Sequence, residues 1–292
     1  MRRLIVGCGY LGRRVADRWA RQQDEVFVLT RSDRRARQLA SGGLQPLIGD
    51  VTDPASLPDL PKADTLLWAV GHDRRSDKTL EEVYVVGFNN LLAAVAVGTQ
   101  RVIYVSSTGV YGQQDGAWVD ETSLCQPNRV GGKACLAAEH SLLASRWSDR
   151  ALILRLAGIY GPQRLPRLRQ LLDGQPLSGD PDGVINLIHV EDAATAVFRA
   201  ADLPLPLPRT YLIADGQPVS RRTFYEELAR QTHAPSPQFK APTAGARGTD
   251  RSGSHKRVAN ARMINELGIQ LRYPSFREGL LAVARETMTN DQ

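Results

Sequence analysis

Three glycines near the start of the chain, in Gly7-Cys8-Gly9-Tyr10-Leu11-Gly12, carry the first chemistry that can be read from the sequence. In a G-x-G-x-x-G run the first glycine permits a tight turn and the second lets the backbone approach a pyrophosphate. The third lets a helix pack closely on the preceding strand, while the N-terminus of that helix faces the negative charge. The pattern alone is common. Here it joins the apolar run Leu4-Ile5-Val6 to a helical period over 11–22, the context that gives it meaning. Dinucleotide sites that hold an unphosphorylated ribose carry Asp or Glu about 20 residues further on, at the end of the second strand. This chain has Thr30-Arg31-Ser32 there, with Arg34 and Arg35 close behind. A guanidinium in place of a carboxylate suits a 2′-phosphate, so the spacing predicts NADP(H) in preference to NAD(H). Asp50, in Gly49-Asp50-Val51, either accepts from the adenine amino group or caps the turn at Thr52-Asp53-Pro54. Ala69-Val70-Gly71 ends a further strand on the same carboxyl edge. Cys8 lies at a helix N-terminus, which lowers a thiol pKa, and fits equally as a small residue filling the turn.

The elements that must position these residues alternate from the first residue. Strands are expected at 4–6, 25–30, 46–48, 64–70, 101–106 and 151–156, with helices over 11–22, 33–40, 79–97 and 132–146. Short continuous apolar strands separated by helices imply a doubly wound α/β fold, with a parallel sheet of six or seven strands covered on both faces. After Gly161-Pro162 the pattern changes. The expected division is therefore a dinucleotide-binding domain over 1–162, and a smaller substrate-capping region over 163–292 with segments returning to the sheet. Leu-Pro repeats at 203–208 read as a stiff connector. Residues 234–255 read as a long mobile loop or lid, and helices are expected near 258–267 and 275–286.

Composition bounds the rest. The 292 residues carry 37 basic and 31 acidic side chains, a net charge of +6, with 42% hydrophobic residues. That mix excludes collagen-like, disordered and disulfide-framework chains. No apolar run reaches the roughly 18 residues that span a bilayer, and the apolar stretch behind Met1-Arg2-Arg3 is too short for a signal peptide. Three cysteines at unrelated spacings suit a reducing, cytoplasmic location. Only five lysines occur, and ten arginines lie between Arg2 and Arg37. Those arginines are either a solvated surface or an anion site. Without a recognition motif, charge alone does not make a nucleic-acid surface. No G-x-S-x-G nucleophile, P-loop or metal-ligand spacing is present, and no metal is expected. His189 and Asp192, in H-V-E-D, are expected to orient the chain as it re-enters the sheet.

Several motifs in order, V-S-S-T-G-V-Y-G at 105–112, L-R-L-A-G-I-Y-G-P at 154–162, N-L-I-H-V-E-D at 186–192 and the tail K-R-V-A-N-A-R-M-I-N-E-L-G at 256–268, join the glycine run. Together they resemble the short-chain dehydrogenase/reductase superfamily, in its extended and atypical branches of NAD-dependent epimerase/dehydratase type. The resemblance implies a Rossmann domain, an NAD(P) cofactor, a small-molecule substrate and a homodimer formed through sheet-flanking helices. It further implies that Ser107 hydrogen-bonds the reacting oxygen, and that Lys133 holds the nicotinamide ribose and lowers a tyrosine pKa. Ala157 and Gly158 would touch the nicotinamide end.

The chain departs from that pattern at its acid. The Y-x-x-x-K spacing requires tyrosine at 129, and the sequence has Arg129; the asparagine expected in the long helix, near Tyr84 and Val86, is also missing. Arginine stays protonated, so Arg129 cannot shuttle a proton. It either binds an anionic substrate or points away on a loop after Pro127. Tyr84, Tyr111 and Tyr160 are the candidate replacement acids, although the last two stand in Y-G turns that suit packing. Two functional expectations follow: an oxidoreductase acting on a small hydroxyl or carbonyl compound with a degenerate catalytic set, or a non-catalytic NADP(H)-binding regulatory or redox-sensing protein.

Overall fold

The computed structural model describes residues 1–73, 75–204, 209–240 and 255–290, with side chains described up to 285. In chain order the elements are β1 (Arg2–Val6), α1 (Tyr10–Arg21), β2 (Glu25–Thr30), α2 (Asp33–Ala40), β3 (Gln45–Ile48) and β4 (Thr65–Trp68). There follow α3 (Gly87–Ala94), β5 (Arg101–Ser107), β6 (Trp118–Val119), α4 (Val130–Ala144), β7 (Ala151–Leu156) and β8 (Gly158–Tyr160). Next come α5 (Leu168–Leu172), β9 (Leu177–Ser178), β10 (Val184–Ile185), β11 (Leu187–His189) and α6 (Val190–Ala200). The described chain closes with β12 (Arg209–Ile213), β13 (Val219–Ser220), α7 (Arg221–Thr232), β14 (Phe239–Lys240), β15 (Arg257–Val258), α8 (Ala261–Leu267) and α9 (Phe276–Asn290).

Seven strands form the main sheet in the order β12-β7-β5-β4-β1-β2-β3. The pairings from β5 through to β3 are parallel. Strand order reverses at β1, between β2 on one side and β4 on the other. Doubly wound sheets place their ligand at such a reversal, beyond the carboxyl ends of the strands. Local sequence explains why these elements form. Helix α1 buries Leu11, Gly12, Val15, Ala16 and Trp19 along one stripe, and α2 is capped by Ser32, whose hydroxyl accepts from the Arg35 amide. β4 and β7 are buried throughout, as strands covered on both faces must be.

The chain forms two interleaved compact units: Met1–Ser107, Val130–Arg155 and Ala194–Tyr211 make one, while Thr108–Arg129, Leu156–Ala193 and Leu212–Gln292 make the other. The sequence reading drew one boundary at 162, with segments of 163–292 returning to the sheet. The first unit has a core built from β1, β2, β4, β5 and β7, with Phe88, Leu91, Leu142 and Trp147 packed on it. The second has its own core of Tyr160, Leu187, Phe224, Leu228, Phe276 and Leu280.

Two expectations change. The helix expected over 79–97 runs over 80–94, and residues 82–86 within it widen to a π turn. The helix expected from 258 begins at Ala261, because the Val258 amide donates to Asn186 Oδ1 and Arg257-Val258 pairs with β6. The Leu-Pro stretch at 205–208 and residues 241–254 of the expected lid lie outside the described residues. Among the described residues, no helix is long and apolar enough to cross a membrane.

The arginine-rich opening is partly structural. Arg3 is buried, donating to Asp24 at 2.8 Å and to Thr65 Oγ1 at 2.7 Å, with Asp202 at 3.1 Å. Arg13 pairs with Asp17 one turn on.

Candidate functional site

The three glycines of the first turn are used differently. Gly7 has φ +98°, and a Cβ there would stand 2.4 Å from the Ala69 carbonyl carbon. A Cβ on Gly12 would stand 2.3 Å from the Gly7 carbonyl oxygen. Both positions are closed by backbone. A Cβ on Gly9 would meet no atom within 4 Å. Gly9 therefore lies beside a cradle that a side chain would fill, at the N-terminus of α1, where no acidic residue stands in the first turn. The positive end of the α1 dipole lies at this turn. The Arg14 guanidinium lies over the Tyr10 ring at 4.4 Å.

The end of β2 carries the polar groups expected of it. Thr30 is half-buried. Exposed Arg31 stands 3.8 Å from the Asp50 carboxylate. The Arg35 guanidinium donates to the Cys8 carbonyl at 3.2 Å, so it lies directly on the glycine turn, whereas Arg34 is exposed. Sequence reasoning weighed Arg34 and Arg35 together behind Arg31 and carried Arg34 forward as the site residue. The available signal was helical phase: Arg35 precedes buried Ala36 and follows the Ser32 cap by three positions. Cys8 behaves as filler, because burial pushes its thiol up to about 11 against the pull of Arg13 and Arg35. A lowered thiol pKa, the other expectation for this position, does not arise.

Asp50 caps its own loop, accepting from the Thr52 amide and hydroxyl at 2.8 Å each. Val51 is buried, and its carbonyl accepts from Asn90 at 2.8 Å. On the far side of β1, the Ala69 amide donates to the Val6 carbonyl, continuing the sheet edge into Val70 and Gly71. The next amide, His72, donates to the Tyr84 hydroxyl at 3.0 Å. Tyr84 belongs to the π turn, a device that often marks functional stretches of helix.

Ser107 is half-buried at the carboxyl end of β5, and Lys133 is exposed on the first turn of α4. A buried network absent from the sequence reading fixes these two elements. Glu139, on α4, accepts from Arg155 Nη2 at 2.7 Å and from Ser106 Oγ at 2.5 Å. The pair therefore ties α4 to β5 and β7. Burial also pushes the Tyr104 phenol up, with Cys135, Glu139 and Tyr84 adding to it.

Ala157 and Gly158 belong to the second unit. The Ala157 amide donates to Ile213 O and the Gly158 amide to Asn186 O. Tyr111 is buried, and its hydroxyl donates to the Asp120 carbonyl at 2.8 Å. Tyr160 is fully buried against His189, its hydroxyl faces the Ser275 carbonyl, and burial drives its phenol far up. Both tyrosines are packing residues. Asp192 accepts from the Arg272 and Tyr273 amides and thus anchors the chain ahead of α9.

Comparison with known proteins defines the class. The sequence pattern of the NAD dependent epimerase/dehydratase family matches residues 4–214. Protein YeeZ of Escherichia coli K12 is 32% identical over 232 residues, covering 77% of each chain. The structure of a conserved protein of unknown function from Silicibacter pomeroyi DSS matches with a TM-score of 0.81 at 30% identity, covering 98% of both chains. MoeE5, solved in complex with UDP-glucose and NAD, shares the fold with a TM-score of 0.80 at 24% identity over the full length of both chains. The chain belongs to the NAD dependent epimerase/dehydratase family, a branch of the short-chain dehydrogenase/reductase superfamily. This is a nicotinamide-dinucleotide-binding family with an oxidoreductase fold. The residues present fit that group, since the Gly9 cradle and the amides of α1 are what a diphosphate requires.

Proposed function

We propose that this chain is an NADP(H)-dependent oxidoreductase acting on a small hydroxyl or carbonyl compound. The observation that carries the reading is the cradle over Gly9 between two closed glycines, with Arg31 and Arg35 at the neighbouring end of β2. Gly7 to Gly12 would hold the diphosphate through the amides of α1. Thr30, Arg31, Arg34 and Arg35 would hold the 2′-phosphate, and Asp50, Val51, Ala69, Val70 and Gly71 would flank the adenosine half. Ala157 and Gly158 would serve the nicotinamide end. The dinucleotide, when bound, supplies or accepts the hydride. Ser107 donates a hydrogen bond to the reacting oxygen, and Lys133 donates to ribose hydroxyls. With arginine at 129, the proton comes from another group. Tyr84 is the one of the three tyrosines considered whose hydroxyl stands at the carboxyl edge of the sheet.

The test is NADPH consumption over a panel of small ketones and aldehydes. Turnover that falls about a hundredfold in Ser107→Ala supports the reading. Arg129 favours a second reading, a non-catalytic NADP(H)-binding regulatory or redox-sensing protein. Tight NADPH binding without turnover, together with new activity in Arg129→Tyr, would select it.

A further inference from the structure

The loop that follows β4 holds an imidazole whose tautomer is fixed by its partner. His72 is half-buried, and its ring Nε2 lies 2.8 Å from the Lys78 carbonyl oxygen. A carbonyl only accepts, so Nε2 carries a proton, and the neutral ring keeps its lone pair on Nδ1. Among the described residues no group donates to Nδ1. The backbone is pinned as well, since the His72 amide donates to the Tyr84 hydroxyl at 3.0 Å. The Ser76 amide donates to the Asp73 carbonyl at 3.0 Å and the Lys78 amide to Ser76 Oγ at 3.1 Å, which folds the loop back on His72. Directly after Lys78, Thr79 and Glu82 form a capping box: the Thr79 amide donates to Glu82 Oε2 at 2.7 Å, and the Glu82 amide to Thr79 Oγ1 at 3.1 Å. The π turn over 82–86 then presents the Tyr84 hydroxyl to the His72 amide. The charged groups of this loop, among the described residues, are Asp73, Arg75, Asp77 and Lys78, the last 3.9 Å from Glu82.

The sheet sets where this ring stands. Ala69 and Val70 press on the glycine turn, where a Cβ on Gly7 would stand 2.4 Å from the Ala69 carbonyl carbon and 2.5 Å from the Val70 nitrogen. β4 pairs in parallel with β5, with Trp68 opposite Tyr104. Carried three residues further, that register sets Ser107 level with Gly71, one residue before His72. Adjacent strands run about 4.8 Å apart. His72 and Ser107 therefore share one carboxyl edge, beside the turn that would hold the dinucleotide.

We propose that His72 is the general acid–base of the reaction, exchanging through Nδ1 the proton that Arg129 cannot carry. The proposal rests on the oxidoreductase reading above and names the group that reading leaves open. On reduction the substrate carbonyl carbon gains the hydride that the dinucleotide supplies, and the C=O π pair moves to oxygen. The Nδ1–H bond breaks as the new O–H bond forms. Imidazolium is left as the neutral ring, its remaining proton on Nε2 donated to the Lys78 carbonyl. Water at the exposed side of the ring returns the proton. In oxidation Nδ1 takes the hydroxyl proton instead. Tyr84 is then a positioning residue, acting through the His72 amide. Imidazole suits the task because it is the side chain that changes charge between about pH 5 and 8.

The test is His72→Gln, because glutamine keeps an N–H donor for the Lys78 carbonyl but exchanges no proton in this range; His72→Asn serves if it fails to fold. NADPH turnover with the best substrate of the carbonyl panel is followed from about pH 5 to about pH 10 in wild type, the variant and Tyr84→Phe, with NADPH affinity measured in each. In wild type, kcat for reduction should fall as pH rises through the imidazole range, since the acid is the protonated ring. The variant should lose at least about a hundredfold in kcat and keep its NADPH affinity within about twofold. Nitrogen-15 NMR of the histidine-labelled chain, with the variant spectrum assigning the signal, should show the neutral His72 ring protonated on Nε2, with and without NADP+. A loss below about tenfold, a neutral ring protonated on Nδ1, or a profile that changes only in the tyrosine range near about pH 10 overturns the proposal. Turnover that survives in His72→Gln and fails in Tyr84→Phe returns the role to the phenol. A wild type that binds NADPH and turns over none of the panel refutes the oxidoreductase reading, and the catalytic role of His72 with it.

Discussion

Replacing each glycine of the first turn by alanine separates the roles that the structure gives them. Gly12→Ala puts a methyl group 2.3 Å from the Gly7 carbonyl oxygen, about 1 Å inside ordinary contact, against backbone that can yield only by lifting α1 off β1. Overpacking of that kind costs about 1–3 kcal/mol. Gly7→Ala meets the Ala69 carbonyl at 2.4 Å and must also hold φ +98°, which adds roughly 1–2 kcal/mol. Gly9→Ala meets nothing within 4 Å, and its stability should shift by no more than about 1 kcal/mol either way. Binding should follow the opposite order of sensitivity. A methyl group on Gly9 would deny the diphosphate one or two charge-assisted amide bonds of about 1.5–3 kcal/mol each, weakening NADPH at least roughly tenfold. Urea unfolding with a fluorescence titration of NADPH reads both quantities. The reasoning is refuted if Gly9→Ala binds NADPH like wild type, or if it unfolds as readily as Gly12→Ala.

Other outcomes follow from the buried charges. Glu139→Gln and Arg155→Met should each destabilise by about 3–5 kcal/mol, because each strands a buried partner, whereas the double variant Glu139→Leu/Arg155→Met should recover most of that loss in urea melts. Asp215, buried near Asp192 and Glu278, has its carboxyl raised from 3.8 to about 7, chiefly by burial. The folded chain then keeps a proton that the unfolded chain has lost. The contribution of this group to stability should accordingly be full below about pH 4 and be lost as pH rises towards 7, a change on the order of 4 kcal/mol. Asp215→Asn should flatten that slope; a slope unchanged from wild type would contradict the assignment. Tyr84→Phe should leave NADPH affinity within about twofold while lowering turnover at least about tenfold if its hydroxyl passes the proton, and unaltered turnover would remove it from that role.

Much of the first unit was legible because its signals are local. The turn at 7–12, the helix over 33–40 and the strand over 25–30 follow from glycine spacing, a serine cap and continuous apolar runs. Resemblance across five motifs carried the fold class and the family. What escaped the sequence depends on contacts between distant residues. The π turn adds no break to the apolar period, so 79–97 read as plain helix. The interleaving of the units depends on where α6 and β12 pack, which no local pattern states. Glu139 and Arg155 look like ordinary surface charges until α4 and β7 are placed side by side. Helical phase, read more closely, would have drawn attention to Arg35 ahead of Arg34. Lys256 stood in a quoted motif, yet its burial depends on Asn186 and Tyr111, 70 and 145 residues away.

Paired titrations of NADPH and NADH against wild type, Arg31→Ala and Arg35→Ala test the central claim most directly. NADPH should bind wild type at least about tenfold more tightly than NADH, and each substitution should erode that preference while leaving NADH nearly unaffected. Equal or tighter binding of NADH by wild type, or an NADPH preference indifferent to both arginines, would contradict the account.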